Sequence, residues 1–99
     1  MLGLWHLFLE ITVPPDAFPS GATGGFINVI ALAESSEAAQ AKVEPYFATF
    51  NWYVVQVESS KIIDPNFVAD DDGFADMIER ARAHPDPIIL GTLHSYKIN

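Results

Sequence analysis

Between Leu4 and Val13 the chain reads LWHLFLEITV, and Trp5, Leu7, Leu9, Ile11 and Val13 put an apolar residue at every second position. A period of two predicts a strand with one buried face. The other parity, Leu4, His6, Phe8, Glu10 and Thr12, mixes aliphatic, aromatic and ionisable groups. Pro14-Pro15 ends the strand, because proline donates nothing to a ladder and restricts its predecessor. The stretch PPDAFPSGATGG is rich in turn residues and reads as a loop, after which FINVIALA at 26–33 forms strand two. Two strong strand formers flanking one loop predict an antiparallel pair with an unusually long connection.

The period then changes. Ser35 or Ser36 is placed to cap a helix, Glu37 sits in its first turn, and Ala39, Val43, Phe47 and Phe50 recur at helical spacing. Pro45 should kink this helix, over about 36–49, or restart it. WYVVQVESSKII, from 52 to about 63, is strand three, with a bulge expected near Ser59-Ser60. Asp71 or Asp72 caps a second helix whose stripe is Phe74, Met77, Ile78 and Ala81; Ala83-His84-Pro85 stops it. PIILGTLHSYKI closes the chain as strand four, with Gly91 marking an irregularity.

The order β-β-α-β-α-β predicts one α+β domain over residues 1–99: a four-stranded, mainly antiparallel sheet with two helices on one face. This is a variant of the ferredoxin-like layout in which a long loop replaces the first helix. From GGFINVIALAESSEAA to GTLHSYKI the chain resembles small bacterial ferredoxin-like domains. The resemblance spans the whole chain, implies the fold, and carries no catalytic motif.

If both helices cover one face, strict alternation puts Leu7, Leu9, Ile11, Ile27, Val29, Val55 and Val57 beneath them. His6, Phe8, Glu10, Phe26, Asn28, Ile30, Trp52, Val54, Gln56 and Glu58 then fall on the opposite face. Bare, that face would be a contiguous apolar patch larger than soluble monomers usually show. The expectation is a homodimer joined there, anchored by Phe8, Phe26, Trp52 and Val54, with His6, Asn28 and Gln56 hydrogen-bonding inside the contact. A small molecule in a pocket walled by the 14–25 loop, or a different protein, is the other cover considered.

Charge narrows the partners. Thirteen acidic residues against five scattered basic ones leave a formal charge of −8, which argues against nucleic acid and anionic membrane surfaces and favours a basic protein if a protein binds. No cysteine is present, so disulfides and thiolate chemistry are excluded. The apolar N-terminus has no basic region and is interrupted by Glu10, so the reading is of a cytoplasmic protein without a signal peptide or span.

Candidate chemistry is sparse. His6, Glu58, His94 and Tyr96 would make an acid–base group if strand four met strand one or three, but polar rim groups satisfying one another explain the same residues. Three histidines without tight ligand spacing make no metal site, and no cofactor is expected. Asp70, Asp72, Gly73 and Glu79 mimic a calcium loop whose first ligand position is Val68, which cannot coordinate; a capped helix start explains them better. SGATGG leads into a strand and lacks a phosphate-binding lysine. A binding role is therefore expected over a catalytic one, with a His/Glu/Tyr-lined pocket and an acidic inhibitor of a basic protein as alternatives.

Overall fold

The structure, a computed structural model, describes residues 2–19, 21–64, 66–69, 71–83, 88–91 and 93–95. Tyr96, Asp70, His84 and Thr92 lie outside them. The fold is α+β: β1 (Gly3–Thr12), β2 (Gly24–Ala33), α1 (Ser36–Ala48), β3 (Tyr53–Ile62), α2 (Asp72–Ala83), then two short edge segments, β4 (Ile89–Leu90) and β5 (His94–Ser95). The strands lie in the order β3-β1-β2-β4, with β5 also pairing β2, and every pairing is antiparallel.

β1 and β2 form a hairpin in unbroken register from Gly3 opposite Ala33 to Thr12 opposite Gly24. Its long connection folds back, so that Phe18 reaches the ring of Trp52 at 5.9 Å. The C-terminal edge is irregular as expected: β4 and β5 meet β2 in registers that differ by one residue, so Ile89 and His94 share a face despite opposite parity.

The ends of α1 are chemically explicit. Ser35 Oγ accepts from the Ala38 amide at 3.1 Å, satisfying one of the donors a helix start leaves over. The helix runs through Pro45 to Ala48 as one element. At its far end Asn51 has φ 62°; its amide donates to the Ala48 carbonyl, and the Trp52 amide to Phe47, both at 3.0 Å. This pair of bonds with a left-handed residue before Trp52 is a Schellman closure, and the Phe47 and Trp52 rings, 5.6 Å apart, supply its apolar contact.

The helices take opposite faces. Ala39, Val43 and Phe47 of α1 pack on Leu7, Leu9, Ile11, Ile27 and Val29. Met77, Ile78 and Ala81 of α2 pack instead with Ile30, Ile63 and Ile89, and Leu4 and Phe74 join them. Both helices were expected on one side; the correction follows from where the chain must go. β2 and β3 each run antiparallel to β1, so they are parallel to each other and α1 crosses between them. β3 and β4 lie at opposite edges and run antiparallel, and α2 makes that traverse over the face α1 leaves free. The sheet therefore has a helix on each side, and α2 covers the part of the second face around Ile30.

A second correction concerns β3. Its pairing with β1 jumps from Ser59 to Val57 opposite Phe8 and Leu9, and from Gln56 to Val54 opposite Glu10 and Ile11. The extra residues, Glu58 and Val55, are two bulges, and each reverses the alternation. Val54 and Trp52 thus belong to the α1-side core, while Val55, expected inside, is exposed.

Candidate functional site

The α2 face is not covered evenly. Where the first half of α2 stands over β1, β2 and the edge strand, a cleft of about 630 Å³ opens. Its floor is sheet: His6 from β1, Asn28 from β2, Leu90 and Gly91 from the edge, and His94 beyond. Its wall is helix: Asp71, Gly73, Phe74, Asp76, Met77 and Arg80.

Each polar member has a definite post. Asp71 caps α2, its Oδ2 accepting from the Phe74 amide at 2.7 Å and its carbonyl from the Ala75 amide at 2.9 Å. Asp76 faces Arg80 one turn along, with 3.9 Å between carboxylate and guanidinium. His6 Nε2 donates to Asn28 Oδ1 at 2.8 Å, and the His6 ring lies 4.6 Å from that of Phe74. Gly91 sits close under α2: a Cβ there would meet the Asn28 carbonyl oxygen and Met77 Sδ, each at 3.1 Å. The absence of a side chain keeps this part of the cleft open.

Of the proposed acid–base group, His6 and His94 line this one cleft. They are separated by four residues along β2, since His6 stands across from Ile30 and His94 across from Phe26, roughly 13 Å along the strand. Glu58 is elsewhere, on β3, where Gln56 donates to its carboxylate. Among the described residues, none of the 14–25 loop lines the cleft.

Of the proposed contact residues, Phe8 and Phe26 stack at 5.6 Å on the α2 face, outside the buried cluster that α2 forms with the sheet. Asn28 is on that face too, and Gln56 stands across from Glu10 there. Trp52 and Val54 are on the other side of the sheet. Among the described residues no group of three or more His, Asp or Glu side chains could hold a metal ion, and no helix is long and apolar enough to cross a membrane.

Asp71, Gly73, Phe74, Asp76 and Arg80 were legible in the sequence only as parts of a capped, amphipathic helix. The signal that could have placed that helix is FINVIALA, whose nearly unbroken apolar run is the mark of a strand buried on both faces. Comparison with family models, with curated proteins and with solved structures gave no match.

Proposed function

We propose that this protein is a binding module whose ligand is a small organic cation with an apolar body, seated between α2 and the sheet. The observation that carries this reading is the cleft's charge: Asp71 and Asp76 line it against one guanidinium, Arg80, which already faces Asp76. Asp72 adds a further carboxylate in the first turn of α2, in a chain of formal charge −8. Such a field raises the local concentration of cations.

The remaining lining suits the rest of such a molecule. Phe74 offers an aromatic wall, and a cation near an aromatic face gains about 0.5–2 kcal/mol. Met77 takes an apolar portion, while the imidazole rings of His6 and His94 supply further polar partners. Binding, and not catalysis, is the role proposed, since the two imidazoles lie too far apart to pass a proton to one another.

Calorimetric titration with benzylamine, using benzoate as the anionic control, tests this. The expected result is saturable binding of benzylamine alone, weakened several-fold in Asp76→Asn. Asp71→Asn isolates charge from capping, because asparagine caps a helix as well as aspartate does. Equal responses to the two probes, or no binding of either, would overturn the reading.

A further inference from the structure

We propose that two copies of this chain pair antiparallel along the free edge of β3, joining their sheets into one. Among the described residues β3 is an outer strand, hydrogen-bonded to β1 on one side only, and such an edge presents backbone groups for pairing. Apolar exposure gathers along it: Tyr53, Val55 and Ile62 on the strand are 54–60% exposed, Phe50 lies just before it, and Phe67 and Val68 follow it. Ile62 lies within the regular stretch of the strand, where a paired copy covers it most directly.

The sequence ESSK at 58–61 points to the occupant. Lys61 stands across from His6, and Ser59 from Phe8, so both side chains are on the α2 face; Gln56 is there as well and holds Glu58. In a two-fold antiparallel pair, residues directly opposite share a face, so the axis passes beside a residue that opposes itself. With Ser60 on that axis, Lys61 lies across from Ser59 of the second copy and next to its Glu58. Symmetry makes the ion pair twice.

An arbitrary strand would gain much less. The bulges at Glu58 and Val55 confine regular pairing to Ser59–Ile62, and an edge lysine repels most incoming strands. A second copy brings the matching carboxylate with it. This pairing is independent of the cleft, which α2 and the opposite half of the sheet form.

Sedimentation velocity over a wide concentration range tests the proposal. The wild-type chain is expected to dimerise. Lys61→Glu and Glu58→Lys should each weaken the dimer at least about tenfold, by turning two attractive cross-strand pairs into repulsive ones. The double swap, Glu58→Lys with Lys61→Glu, should restore it, as should mixing the two single variants. Both positions are exposed, and circular dichroism verifies that each variant folds. A wild type that stays monomeric throughout, or a dimer indifferent to the swaps, would overturn it.

Discussion

His6 and Asn28 are diagonal neighbours across the β1–β2 ladder, and the imidazole Nε2–H donates to the amide oxygen at 2.8 Å. Asn28 also accepts the Gly91 amide on its backbone carbonyl at 2.8 Å. One residue thus joins the three strands that floor the cleft. Asn28→Ala leaves the imidazole donor without its acceptor in a half-buried place, which costs about 1–3 kcal/mol. Urea denaturation should show that loss with an unchanged slope, and Asn28→Asp, which keeps an acceptor, should lose less.

Gly91→Ala tests how closely α2 approaches the edge strand. The added carbon meets both a flexible thioether and a backbone oxygen of the central sheet. Met77 can turn aside; the Asn28 carbonyl, tied into the ladder, has no such freedom. A loss of about 1–3 kcal/mol, typical of overpacking, is expected in chemical denaturation. Met77→Ala in the same chain should recover part of it, since the two effects share one contact.

The turn after α1 gives a backbone test far from the cleft. Asn51 holds φ 62°, a conformation that costs most residues about 1–2 kcal/mol and glycine almost nothing. Asn51→Ala should therefore lower the melting temperature by several degrees, at about 4–8 °C per kcal/mol for a domain of this size. Asn51→Gly should leave it nearly unchanged.

Phe47 measures the α1-side core. It is fully buried and closes the helix against Trp52. Phe47→Ala should cost about 3–5 kcal/mol, a large part of the 5–15 kcal/mol available to a domain of this kind. Phe8→Ala, on the part of the sheet beyond α2, should cost clearly less by the same denaturation assay.

Local pattern reached some of this architecture and not the rest. The odd residues of β1, the hairpin, Ser35, Asp71 and the two helical stripes are each set by neighbours a few positions away, and the sequence displays them. The bulge expected near Ser59-Ser60 falls beside them at Glu58, but the one at Val55 is not visible in WYVVQVESSKII, because either parity there can be read as apolar. One missed bulge moved Trp52 and Val54 to the wrong side. The stripe of Phe74, Met77, Ile78 and Ala81 says that α2 buries one side, but not which face of the sheet receives it. That choice depends on the edge-to-edge traverse from β3 to β4, a long-range property of the chain path. The cleft followed from the traverse, so only its sheet-borne residues, His6, Asn28 and His94, were singled out beforehand.

The most direct test of the cation-binding cleft is a proton–carbon NMR titration of the histidine-labelled protein with benzylamine. The account predicts that the His6 and His94 ring signals move together, saturate at one dissociation constant, and lose their response in Phe74→Ala. Ring signals that stay fixed while benzylamine is raised to excess, or that respond equally to benzoate, would contradict it.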